Sequence, residues 1–183
     1  MATPPAPDRF IPVEEYLSTS YEPDCEYNEG AVVERNLGEI EHSFLQGVLI
    51  TLFNVNSEVW GEYCLPEQRI QIGPRRFLVP DLCVLRSNAP WEKIVTRPPL
   101  IAIEILSPED TLRNVEKKSG EYHQFGVENM WVIDPYARVA YRGTASGLER
   151  VPDGVLMVPG TLIVVQIAEL FEKLDHTRAA SGK

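Results

Sequence analysis

The stretch LIAIEILSPEDTLRNVEKKSGEYHQFG, residues 100–126, decides the fold. Its opening LIAIEIL is a nearly continuous apolar run of strand length, rich in isoleucine, as expected of a strand covered on both faces. Ser107-Pro108-Glu109-Asp110 then predicts a helix start. Ser107 would be the N-cap, Pro108 would take the first helical position, where its missing N–H costs nothing, and the two acids would meet the positive end of the helix dipole. The helix is expected to end at Phe125, with Gly126 as its C-cap. A buried strand feeding a helix is a unit of layered α/β or α+β proteins.

Chemistry is written into the same stretch. Strand alternation puts Ala102, Glu104 and Leu106 on one face and Ile103 and Ile105 on the other. A carboxylate in so apolar a strand must be paired, hydrogen-bonded or bound to metal, because burying a bare charge is prohibitive. In the helix, Leu112, Val115, Tyr122 and Phe125 make one apolar stripe at about 100° per residue. Lys118 falls within that stripe, and Lys117 points away from it. The alternatives are a structural ion pair for Glu104 and a lysine that snorkels at the stripe's edge.

Working outward, FLVPDLCVL (77–85) carries Pro80 and Asp81. Proline cannot donate to a ladder, so this point is an edge, a bulge or a strand start, and a bulge beside a carboxylate aims it into a site. EQRIQI joins FLVPDLCVL through GPRR as a hairpin, and a helix at 40–56 shows Leu45, Val48, Leu49, Leu52 and Phe53 at helical spacing. A short helix at 13–17 leads into CEYNEGAVVER, where Asn28-Glu29-Gly30 turns between two strands. Strands are expected at 129–135, 138–143 and 160–167, and a closing helix at 168–175, with Trp131 and Ile133 in the core. The order gives one layered domain over residues 10–176, flanked by flexible tails at 1–9 and 177–183.

Composition narrows the function classes. The chain has 183 residues and a net charge of −10, which opposes indiscriminate coating of nucleic acid or of an anionic membrane. Three widely spaced cysteines without a CxxC pair fit buried thiols in a reducing cytosol. The start MATPPAPDRF has no apolar signal region, and the longest apolar runs are too short to span a bilayer, so a cytoplasmic protein is expected. GxSxG, GxGxxG and P-loop motifs are absent.

Asp81, Glu104 and Lys118 converging on a point suit metal-assisted phosphodiester hydrolysis. Carboxylate oxygens are hard ligands that suit Mg2+ or Mn2+. A bound metal lowers the pKa of water and neutralises charge on phosphoryl oxygens, and a lysine orients the water or stabilises the transition state. Glu41 begins the core-facing stripe of the first long helix and is a further candidate; His42 is another, as a base or a phosphate contact.

Pro80-Asp81 followed by Glu104-Ile105-Leu106 resembles the PD-(D/E)XK nuclease signature. The wider set, EYNEGAVVER, EHS at 41–43, EQRIQI, VPDLCVL, IEILSPED and KSGEY leading to GVENMWVIDP, resembles the Uma-type putative restriction endonuclease family over residues 14–143. The third position of the triplet is Leu106 rather than lysine, and Lys118 matches the family's migrated lysine through its spacing to Tyr122 and Gly126. The resemblance implies a restriction endonuclease-like fold, with a central mixed β-sheet flanked by helices. It further implies a Mg2+-dependent DNA endonuclease in which Asp81 and Glu104 bind metal and Lys118 assists water. Cleavage to a 5′-phosphate and, by analogy, a homodimer also follow. Two other readings stand beside it: a non-catalytic or regulatory binding protein on the same scaffold, and a carboxylate-pair hydrolase on another substrate.

Charge is unevenly spread. Residues 1–68 hold 2 basic and 13 acidic residues, whereas residues 69–118 hold 9 basic and 6 acidic ones. Acidity is therefore expected to lie away from the site, with weak, salt-sensitive DNA binding and metal required for productive engagement.

Overall fold

The computed structural model describes residues 9–22, 24–36 and 38–181. A short helix α1 (Val13–Ser18) precedes a hairpin of β1 (Cys25–Asn28) and β2 (Ala31–Glu34). Only Glu29 (φ 50°) and Gly30 (φ 102°) join those strands, both in the left-handed backbone that a two-residue hairpin turn requires. The long helix α2 (Ile40–Trp60) runs past its expected end at residue 56. Five strands follow: β3 (Glu62–Pro66), β4 (Ile70–Gly73), β5 (Arg76–Leu78), β6 (Leu82–Arg86) and β7 (Ile101–Ile105). After α3 (Leu112–Phe125) come β8 (Met130–Asp134), β9 (Val139–Thr144), β10 (Gly147–Arg150), β11 (Val155–Met157), β12 (Val164–Gln166) and α4 (Ile167–Ser181).

The central sheet has the order β10-β9-β8-β7-β6-β3. It is mixed: β7 and β8 run parallel, and the other neighbours are antiparallel. A parallel pair needs a crossover, and α3 supplies it. Ile101, Ile103 and Ile105 face Leu45, Leu49 and Phe53 of α2, with Leu170 and Phe171 of α4 in the same cluster. Ala102 and Leu106 face the other way, onto Val115 and Tyr122 of α3. Cover on both faces is why β7 reads as a nearly continuous apolar run, interrupted only by Glu104; each fully buried Ile or Leu contributes roughly 1.5–3 kcal/mol. Trp131 and Ile133 are buried as expected.

Pro80 marks a change of sheet. β5 belongs to a second sheet of order β2-β1-β5-β4, whereas β6 pairs with β3 and β7 in the large one. FLVPDLCVL is thus two strands, and only its first half forms the expected hairpin with β4, with a register shift between Gln71 and Gly73. Asp81 sits at the hinge between the sheets, one residue before the ladder in which Leu82 pairs with Pro66 and Ile103.

Three expectations need correction. The N-cap of α3 is Thr111, whose side chain accepts the Asn114 amide, and not Ser107. Residues 107–110 instead close a separate turn, in which Asp110 Oδ2 accepts the Ser107 amide at 2.7 Å. The strand expected at 160–167 is confined to Val164–Gln166, and β3, β10 and β11 had no counterpart in the sequence reading. α4 continues through Ser181, so residues 177–181 of the expected C-terminal tail are helical. The expected N-terminal tail lies outside the described residues except for Arg9, as do residues 182 and 183. All three cysteines are buried. Among the described residues, no helix is long and apolar enough to cross a membrane.

Candidate active site

Asp81 stands just before β6, and Glu104 lies near the end of the adjacent, antiparallel β7. The two strands are tied at this point, since Asp81 Oδ2 accepts the Ile105 amide at 2.6 Å. Glu104 points to the α3 side of the sheet. There its Oε1 accepts the Tyr122 hydroxyl at 3.0 Å and lies 3.0 Å from Lys118 Nζ. Lys118 and Tyr122 are four residues apart on α3, so one helix face presents both. Lys117 is exposed, as its position outside the stripe predicts. Asp81, Glu104 and Lys118 line one cleft of about 440 Å³.

Three groups in this cleft were not anticipated. Glu26 of β1 is only 6% exposed, with Oε1 2.7 Å from Lys118 Nζ and Oε2 3.3 Å from Arg76 Nη2. Arg76 also donates to Glu121 at 2.7 Å, which ties β5 to α3. Arg35, just after β2, pairs with Asp81 Oδ1 and lies 3.4 Å from Glu67 Oε1. The β1–β2 hairpin therefore carries both Glu26 and Arg35 to the site. Arg35 had a sequence signal, being one of two basic residues among the first 68. Glu26 had none, because a four-residue strand does not reveal which face is buried.

The start of α2 contributes His42 rather than Glu41. His42 is buried, its Nε2 lies 3.2 Å from Asp81 Oδ2, and Glu41 does not line the cleft. Gly38 makes room for this ring: a Cβ there would come within 2.5 Å of His42 Nδ1.

Electrostatics follow from crowding. Burial alone would raise the Asp81 carboxyl, but the His42 hydrogen bond, the Arg35 charge and the Ile105 amide overcome it and hold it below the usual carboxylate range. Burial pushes Glu104 up to about 7; Lys118 opposes that rise, and the neighbouring Asp81 and Glu26 charges add to it. Burial would discharge Lys118, yet Glu104 and Glu26 keep it charged, with its pKa above the ordinary lysine value. Glu26 is also buried, and Lys118 and Arg76 hold it ionised.

The cleft's charge corrects the sequence expectation. It is lined by the carboxylates of Glu26, Glu34, Asp81, Glu104, Asp110 and Glu121, against the cations Arg35, Arg76, Lys117 and Lys118. Acidity is not kept away from the site, because the fold lays the acidic β1–β2 hairpin against it.

Among the described residues, no group of three or more His, Cys, Asp or Glu side chains is arranged to hold a metal ion. The donor chemistry nonetheless fits a hard divalent cation. Asp81 and Glu104 offer carboxylate oxygens, and Glu104 Oε2 has no hydrogen-bond partner among the described residues. Asp81 already has three partners, and a cation on its remaining Oδ1 lone pair would lie against the Arg35 guanidinium.

The chain is similar to known proteins over most of its length. The sequence model of the family Uma2, described as a putative restriction endonuclease, matches residues 13–160. The crystal structure of a putative nuclease belonging to DUF820 from Anabaena variabilis superposes with a TM-score of 0.76 at 25% identity, covering 90% of this chain and 99% of that one. A cryo-electron microscopy structure of a DrdV–DNA complex matches with a TM-score of 0.39 at 17% identity, over 58% of this chain and 10% of that one. The chain matches none of the curated proteins.

Proposed function

The chain belongs to the Uma2 family, and from that premise we propose that it is a divalent-metal-dependent DNA endonuclease whose active site is the cleft around Asp81, Glu104 and Lys118. The observation that carries this reading is the convergence on that cleft of two buried carboxylates, one just before β6 and one in β7, and a half-buried lysine of α3. Asp81 and Glu104 would hold Mg2+ or Mn2+, which when bound supplies a water of lowered pKa and neutralises charge on the phosphoryl oxygens.

The chain's own residues divide the remaining work. Lys118, kept charged by two carboxylates, faces the cleft as a fixed positive charge for the developing phosphoryl anion and as a donor to the attacking water. Tyr122 orients Glu104 through its hydroxyl. His42 and the Ile105 amide orient Asp81, and Glu26 fixes the position of Lys118.

The test is cleavage of plasmid and single-stranded DNA with Mg2+ or Mn2+ by wild type, Asp81→Ala, Glu104→Ala and Lys118→Ala. Metal-dependent nicking by wild type is expected, abolished in Asp81→Ala and Glu104→Ala and cut to a low but measurable rate in Lys118→Ala, which keeps both carboxylates. Activity that survives the three substitutions would remove the site. Binding of DNA without cleavage under any metal would favour a non-catalytic protein on a nuclease scaffold.

A further inference from the structure

Both oxygens of Asp81 are engaged. Oδ2 accepts the Ile105 amide at 2.6 Å and lies 3.2 Å from His42 Nε2, while Oδ1 pairs with Arg35. Asp81 is only 3% exposed. Oδ1 has one partner and keeps a second lone pair, but a cation bound there would lie directly against the Arg35 guanidinium, and the repulsion falls on that partner. The Ile105 amide is fixed in the β7 backbone. His42 is fixed at the start of α2, with its ring packed against Gly38. Arg35 alone is a long side chain reaching in from the cleft wall, beyond the end of β2.

A second carboxylate stands ready for it. Arg35 Nη1 lies 3.4 Å from Glu67 Oε1, and the Glu67 side chain is about half exposed. The guanidinium can therefore leave Asp81 without losing its counter-ion, which removes most of the cost of moving a half-buried charge. A divalent cation reaching Asp81 would repel the guanidinium and favour the same displacement.

We infer that Arg35 is the exchangeable cation of the site: it neutralises Asp81 in the metal-free protein and passes to Glu67 when a divalent ion takes Asp81 Oδ1. This rests on the metal-dependent reading above and assigns Arg35 and Glu67 a part in setting metal affinity. The two residues act with opposite signs. Removing Arg35 frees Asp81, whereas removing Glu67's charge leaves the guanidinium nowhere to go and ties it more firmly to Asp81. A merely structural ion-pair network would weaken binding on either substitution.

Isothermal titration with Mn2+ compares full-length wild type, R35Q, R35K and E67Q, with circular dichroism as the check on folding. R35Q should bind about tenfold more tightly than wild type and E67Q more weakly, with R35K, which keeps the charge but not the planar fork, in between R35Q and wild type. If R35Q does not fold, R35K above wild type and E67Q below it make the same test. Measurable binding in any other order overturns the exchange and leaves the metal reading standing. No Mn2+ binding by any of the four proteins would remove both.

Discussion

Lys118 Nζ lies 2.7 Å from Glu26 Oε1, closer than the 3.0 Å that separates it from Glu104 Oε1. The lysine of the cleft is thus anchored from the small sheet as much as from the large one. Replacing Glu26 with Gln keeps the shape and removes the charge, leaving Lys118 to collapse toward Glu104. Turnover of the metal-dependent reaction should fall by about 10–100-fold, the usual effect of losing a residue that orients a ligand or catalytic group. The check is a double-mutant cycle: E26Q should have little further effect in a Lys118→Ala background. Independent, additive losses would show that Glu26 does not act through Lys118.

The cleft's lining holds more carboxylates than cations, and this bears directly on DNA binding. A phosphodiester approaching such a wall is repelled until positive charge is added. Fluorescence anisotropy with a labelled duplex should report weak binding in EDTA and clearly tighter binding with Ca2+, a cation chosen to limit cleavage. Raising salt from about 50 to 200 mM should cost roughly tenfold in affinity, as for two phosphate contacts. Binding that is equally tight in EDTA would place the DNA surface elsewhere.

The parts of the fold that could be read from sequence were those with strong periodicity. β7 announced itself by apolar content, and α3 by a stripe clear enough to separate Lys118 from Lys117. The parts that escaped were short and depended on tertiary pairing. β3 and β11 have three to five residues each, too few for alternation to stand out. The switch of sheet at Pro80 is a property of which strands lie nearby, so Asp81 could be flagged as unusual but not located. Thr111 displaced Ser107 as the cap because Asp110 turned back onto the Ser107 amide, a choice between two plausible local hydrogen bonds. In the site, the residues of β6, β7 and α3 were legible, and the β1–β2 hairpin was not. Glu26 and Arg35 gain their meaning only when the acidic N-terminal third is laid across the sheet.

Tyr122 is fully buried, and its hydroxyl donates to Glu104 Oε1. Tyr122→Phe preserves the ring's packing against the sheet and deletes one donor to a carboxylate. Stability should drop by about 1–3 kcal/mol, read from the urea midpoint at constant slope. An unchanged midpoint would mean that Lys118 alone satisfies Glu104.

Glu62 provides a pH test away from the cleft. It opens β3 directly after Gly61, the C-cap of α2, is 2% exposed, and neither carboxylate oxygen has a hydrogen-bond partner among the described residues. Burial raises its pKa from 4.5 to about 7, and the negative end of the α2 dipole acts in the same direction. The folded protein therefore keeps this proton to higher pH than the unfolded chain does. The group costs nothing below its unfolded pKa of 4.5; the cost grows as pH rises toward about 7 and is complete above it. At about 1.4 kcal/mol per unit the full cost is roughly 3 kcal/mol. Glu104 titrates in the same window, so the comparison must be with Glu62→Gln, in which only the Glu62 contribution is lost. Urea unfolding at about pH 5 and pH 8 should show wild type losing more stability than E62Q across that range, by up to roughly 3 kcal/mol. Parallel profiles would mean that Glu62 is ionised in the folded state at the same pH as in the unfolded chain, and that water or a mobile cation reaches it despite its burial.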